Sequence, residues 1–331
     1  MFILCEYFFC LISIKKNLFT STFLKKMGPK KVILDVRKHN LKLKEPNAFT
    51  CIFGKRGRGK TVLAKYLVQT SEWAYESIHV VIARTEKARI FWRKIVHPTN
   101  VHAPSLELLK KLREKQNENI RKYDYLKKPF PRWLHQTLII DDCGSLAWFM
   151  QSHEMSELAS NSRQEERDVI LILQHLTHAY SDIRENFDRI FVLGTNNDKI
   201  VKIMQEEFVP CTEKRVLSRT IAFLTAKEGQ SCVIDNTSGA RCLEEVVFYL
   251  NIPPEWDWKN EDRVGHPLLN QWADENFVED NPCELKEEIV EDEEDEEEVI
   301  PEDDNNVFED RFGRIVFRRL PEGMLSKSKL D

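Results

Sequence analysis

Eight cysteines are scattered along the 331 residues without one Cys-x-x-Cys pair, so neither a zinc ribbon nor a thioredoxin-type redox site is signalled. Thiols spread this way through a long, charged chain suit a reducing, cytosol-like compartment rather than a disulfide framework. Long apolar runs are missing as well. Nothing approaches the roughly 18–20 apolar residues of a membrane span, which argues against a stable transmembrane helix. No internal repeat is visible, so a solenoid is not indicated. Residues 1–26 begin apolar and end basic, but they lack a basic start and carry Glu6 inside the apolar run, which makes a poor signal peptide. Gly28 has no Ser/Thr where a myristoylation motif needs one. With Met27 opening the ordinary stretch MGPKKVILDV, the first 26 residues read as an upstream extension or a misassigned start; a membrane-surface anchor is the alternative.

What is present is an apolar fraction of 42% in a chain long enough for one large domain or two small ones. The net charge of −5 is unevenly placed. Residues 284–304 hold 14 acidic residues and one lysine, a charge of −13, which leaves +8 on the rest of the chain. A basic body suits a polyanionic partner, and equally an ordinary solvated surface. The expected organisation is a body over residues 27–275 followed by an acidic, disordered tail over 276–331, with a short basic end, RFGRIVFRRLPEGM.

Within the body, apolar runs rich in Val, Ile and Leu recur at 48–53, 79–83, 137–140, 169–173 and 189–193. Each has the length of a strand buried on both faces. Helical patterns lie between them at 61–69, 105–123, 150–160 and 199–207. This alternation predicts an α/β fold, a mostly parallel sheet flanked by helices. After about residue 215 the pattern changes, and TIAFLTAKEGQSCVIDNTSG reads as two strands of a C-terminal β-hairpin turning at Glu228-Gly229. NIPPEWDWKNED, at 251–262, reads as an irregular Pro/Trp-rich segment.

The chemistry concentrates in three places. Gly54-Lys55-Arg56-Gly57-Arg58-Gly59-Lys60-Thr61 matches G-x-x-x-x-G-K-[ST] in full, between an apolar run and a helical pattern. Such a loop turns backbone N–H groups toward phosphate oxygens, and the following helix adds its positive N-terminal end. Lys60 is placed to reach the β- and γ-phosphates of ATP, and the Thr61 hydroxyl to ligate Mg²⁺. Next, TLII runs into Asp141-Asp142. Asp141 is the candidate Mg²⁺ ligand and Asp142 the candidate that polarises the attacking water; a plain strand-end turn is the bland alternative. Third, the apolar run 169–173 ends in Gln174, which is placed to orient that water or sense hydrolysis, or simply to cap a strand. His175 and His178 have no accompanying third ligand pattern and do not suggest a metal.

One apolar run, 79–83, separates the phosphate loop from the aspartate pair along the chain. That order favours the P-loop ATPases with an inserted strand, the RecA-like or ASCE class that moves polymers or remodels proteins. Arg163 and Arg184 flank Gln174, and either is a candidate for the arginine that neutralises charge in a neighbouring subunit's transition state. For any single arginine, solvation at the surface is the default.

Together, GKRGRGKT at 54–61, TLIIDDC at 137–143, NSRQEERDVILILQHL at 161–176 and DIREN at 182–186 resemble the genome-packaging ATPases of large DNA viruses, the poxvirus-type branch of the FtsK–HerA superfamily. The resemblance covers about residues 45–200. It implies an ATP- and Mg²⁺-dependent ring of identical subunits that moves double-stranded viral DNA into a capsid, docked on a capsid or portal-site protein. It places the protein in the host cytoplasm at the viral factory and in the virion. It also implies Arg163 as the inter-subunit finger, with Arg184 second. The acidic tail and the N-terminal extension lie outside it. The alternative reading is another P-loop NTPase, such as a helicase or nucleotide kinase. A non-enzymatic scaffold with a decayed loop fits poorly with intact Lys60, Thr61, Asp141 and Asp142.

Overall fold

The computed structural model describes residues 36–39, 47–195, 197–227, 229–237 and 242–276, and the backbone of 307–309 and 315–317. The N-terminal extension and the acidic run of the tail lie outside these residues.

An eight-stranded sheet organises the body. Its strands in chain order are β1 (Phe49–Phe53), β2 (Ile78–Ala83), β3 (Val101–His102), β4 (Gln136–Asp141), β5 (Arg167–Leu173), β6 (Arg189–Val192), β7 (Gln230–Asp235) and β8 (Val247–Asn251). Across the sheet they run β3-β2-β4-β5-β1-β6-β7-β8. The first six are mutually parallel; β7 pairs antiparallel with both β6 and β8. Every residue of β1, β4 and β5 is buried, as expected of strands covered on both faces.

Alternation within these strands feeds two cores. Phe49, Cys51 and Phe53 join Leu138, Ile140, Val169 and Leu171 on one face. Ile52, Ile139, Ile170 and Ile172 serve the other. Helices α1 (Lys60–Gln69) and α2 (Glu86–Arg93) cover the second face through Leu63, Leu67 and Trp92. Helices α3 (Leu106–Tyr125), α4 (His153–Asn161), α5 (Asp198–Glu207) and α6 (Lys214–Leu224) cover the first through Leu109, Leu158, Val201 and Leu217. A further helix, α7 (Pro267–Asn276), closes the body. None of the helices among the described residues is long and apolar enough to cross a membrane.

The sheet order makes the inserted strand explicit. β5 lies between β1 and β4, in register Phe49↔Val169 on one side and Leu138↔Val169 on the other. Along the chain two strands, not the one expected, separate the motifs: β2 and the two-residue β3, which lie beyond β4 in the sheet.

The expected hairpin needs correction. An antiparallel pair does end the sheet, but it joins β7 to β8, and TIAFL belongs to α6. Leu217, Thr220, Ile221 and Leu224 are the buried positions there, the 3-1-3 spacing of a helical stripe. The helix expected at 150–160 is likewise two pieces, a short turn at Ala147–Met150 and then α4, which Ser152 caps by accepting from Met155 N. In the C-terminal stretch expected to lack structure, Val307–Glu309 and Ile315–Phe317 pair as antiparallel strands.

Candidate active site

The site lies at the C-terminal edge of the parallel strands, where strand order places ligands in open α/β sheets. The chain leaves β1 at Gly54, whose amide donates to Leu173 O at 3.3 Å. A Cβ on Gly54 would sit 2.9 Å from Leu193 Cβ, so this close approach of backbone to the end of β6 needs glycine. Gly59 takes the left-handed φ of 80° that opens α1, and its carbonyl accepts the first helical bond from Leu63 N at 2.9 Å. The helix therefore points its N-terminus and free amides at the loop. Lys60 folds back over the loop and donates from Nζ to Lys55 O at 3.1 Å. Burial lowers the pKa of its ammonium, against the pull of Asp142 and Asp141.

The loop meets the aspartates directly. Thr61 Oγ1 lies 3.5 Å from Asp141 Oδ2, at the end of β4. The same oxygen accepts a 2.9 Å hydrogen bond from the indole Nε1 of Trp92, which is fully buried in α2. Asp141 is 3% exposed. Burial pushes its carboxyl up to about 6, the Asp142 charge adds to the rise, and the Trp92 and Thr61 hydrogen bonds and Lys60 oppose it. A buried carboxylate beside a threonine hydroxyl is a suitable hard-oxygen donor pair for Mg²⁺, and a divalent cation would relieve the desolvation that raises this carboxyl. Asp142 has a left-handed φ of 56° and accepts from Gln174 Nε2 at 2.7 Å. That bond ties the end of β4 to the end of β5.

Lys60, Thr61, Asp141, Asp142 and Gln174 thus line one cleft of about 390 Å³, with Arg56 and Lys87 at its border. Arg58 lines a second cleft on the other side of the loop. Neither candidate arginine reaches either cleft. Arg163 pairs with Asp188 at the opposite, N-terminal edge of the sheet, with its side chain 61% exposed. Arg184 is held by a bidentate pair with Glu207 at 2.8 and 2.7 Å and by Ala179 O at 2.7 Å, and is 13% exposed.

Trp92 is the site residue that sequence reasoning missed. It lies 49 positions before Asp141, in a helix whose only signal is amphipathic spacing, and nothing local marks an indole as a carboxylate's partner.

Uncharacterized protein 075L of Invertebrate iridescent virus 6 is 26% identical over 209 residues, covering 61% of this chain and 76% of that protein. Uncharacterized protein 015R of Frog virus 3 is 24% identical over 203 residues, and the match spans 61% of each. The structure of the genome packaging NTPase B204 from Sulfolobus turreted icosahedral virus 2 in complex with ATP-gammaS aligns with 63% of this chain and 98% of that chain, at 14% identity and a TM-score of 0.44. The model of the poxvirus A32 protein family matches residues 36–242, well over half of the chain, across the phosphate loop, the aspartate pair and the glutamine strand; the chain belongs to that family.

Proposed function

We propose that this protein is an ATP-hydrolysing motor that translocates double-stranded viral DNA into a capsid, working as a ring of identical subunits. The observation that carries the reading is the convergence of Lys60, Thr61, Asp141, Asp142 and Gln174 on a single cleft. The phosphate loop and the α1 N-terminus bind and orient the triphosphate of ATP, and Lys60 neutralises its terminal charge. Thr61 and Asp141 are the residues that would hold Mg²⁺. When bound, the ion would offset the negative charge that develops on the phosphates. Asp142 accepts a proton from, or aligns, the attacking water, and Gln174 holds the Asp142 carboxylate in place through their 2.7 Å bond.

The last charge to be stabilised is proposed to meet an arginine from the next subunit. Arg163 suits that role, because its own subunit leaves the side chain 61% exposed and far from its own cleft. Arg184 is the second candidate, and its pairing with Glu207 makes it the less available one. A basic body fits a duplex held through its phosphates, with salt-sensitive and nearly sequence-blind binding. Docking to a capsid or portal-site protein, and residence in the host cytoplasm and virion, belong to the same reading.

The test is the ATPase rate of the full chain with and without long duplex DNA. Strong stimulation by duplex is expected, and Lys60→Ala abolishes turnover in both conditions. Undiminished turnover in that variant refutes the site. Stimulation by a small phosphate acceptor instead of duplex replaces the motor with a nucleotide kinase.

A further inference from the structure

Two clefts share the phosphate loop, and they differ in chemistry. The cleft with Asp141, Asp142 and Gln174 takes the reacting end of a triphosphate. The other, about 600 Å³, opens on the opposite side of Gly57, Gly59 and Val62. Its lining joins the apolar Val62, Leu193 and Ile252 and the indole of Trp258 to the polar Arg58, Thr225, Lys227 and Gln230. A triphosphate whose terminal phosphate points at the aspartates can place its nucleoside in this second cleft, because the two clefts share Gly57, Gly59 and Val62.

Ile252 and Trp258 belong to the Pro/Trp-rich segment, which lies beyond residues 36–242 matched by the family. This segment is strapped onto α1. The Lys65 ammonium, on a residue only 2% exposed, donates to Trp258 O at 2.8 Å and also to Asn260 O. Gln69 Nε2 donates to Asp262 O at 3.1 Å, and Trp256 packs edge-on against Tyr66 at 5.2 Å. Ile252 N donates to Gly229 O at 3.1 Å, which ties the start of the strap to the loop before β7. The backbone of Trp258 is therefore fixed to the helix that carries Lys60 and Thr61. The residue nevertheless stays 56% exposed and lines the cleft, with the Lys259 ammonium 5.5 Å from its ring centroid. An anchored backbone under an indole that still has more than half of its surface open to the cleft is the arrangement of a stacking platform, because every base offers a π-face.

We propose that the 600 Å³ cleft is the nucleobase site, with Trp258 stacked on the base, so that the segment after β8 completes the nucleotide pocket. This rests on the phosphate loop binding a nucleoside triphosphate, as proposed above. The test is equilibrium binding of two probes, ATP and inorganic tripolyphosphate, to the full chain. Trp258→Ala weakens ATP binding about tenfold, on the order of the loss per stacked base, and leaves tripolyphosphate affinity unchanged. Trp258→Phe retains most of the ATP affinity. ATP affinity unchanged in Trp258→Ala overturns the proposal, as does an equal loss of ATP and tripolyphosphate. A wild-type chain that binds ATP but shows no duplex-stimulated turnover overturns the motor and leaves the base site standing; one that binds neither probe overturns both.

Discussion

Asp141 is buried to 3% exposure at the end of β4, and its carboxyl is raised to about 6 against an ordinary value of about 3.9. The folded chain therefore holds a proton there that the unfolded chain would release. Its contribution to stability is full below about pH 4 and is lost as pH rises through about 6. Above that range the ionised carboxylate is a burden in the nucleotide-free protein. Asp141→Asn removes the burden, so the variant should melt higher than the wild type above pH 6, by on the order of 3 kcal/mol. The difference should vanish below about pH 4, while Mg²⁺-dependent turnover is lost throughout. Melting curves across pH check this, and a variant that melts no higher at pH 8 counts against it. The same residue shows what was legible at this scale. An acid ending an apolar run marked Asp141 as a candidate metal ligand. The Trp92 indole that donates to its carboxylate was invisible, because the contact joins α2 to β4 across 49 residues.

Elements were legible where one force decided them. β1, β4 and β5 are buried on both faces, so each reads as a continuous apolar run. The segment TIAFL, at 220–224, reads as a strand in the sequence and is the end of α6. Ile, Phe and Thr favour strands by propensity, and only packing against the sheet selects the helical stripe Leu217, Thr220, Ile221 and Leu224. The two readings make different demands on neighbouring side chains. A strand would set Ile221 and Phe223 on one face, whereas α6 buries Ile221 and leaves Phe223 79% exposed. Ile221→Ala should cost about 2–5 kcal/mol, and Phe223→Ala about 0.5 kcal/mol or less. Denaturant unfolding measures both, and comparable losses at the two positions would return the segment to a strand.

At the scale of the whole molecule, the sheet separates the parts of the proposed machine. ATP chemistry gathers at the C-terminal edge of the strands, and Arg163 stands with Asp188 at the N-terminal edge. One subunit cannot bring both to the same phosphate, so a finger role for Arg163 requires a neighbour. Arg163→Ala should lower turnover sharply without weakening nucleotide binding. Mixing it with Lys60→Ala subunits should restore activity, because an intact loop then meets an intact arginine across the interface. Mixtures as inactive as either variant alone would remove Arg163 from the role.

The sequence by itself determined the phosphate loop, the aspartate pair, the glutamine strand and the α/β alternation, because each is set by neighbours in the chain. A loop, a strand end and a helix start are local objects, and their residue types make them candidates for the proposed chemistry. Only the tertiary structure decided that β5 lies between β1 and β4, that Gln174 holds Asp142, that Trp92 donates to Asp141, and that the segment around Trp258 is strapped to α1. Those facts depend on which buried faces and polar groups find each other across dozens of residues. Chain order leaves that choice open, and close packing with satisfied hydrogen bonds makes it.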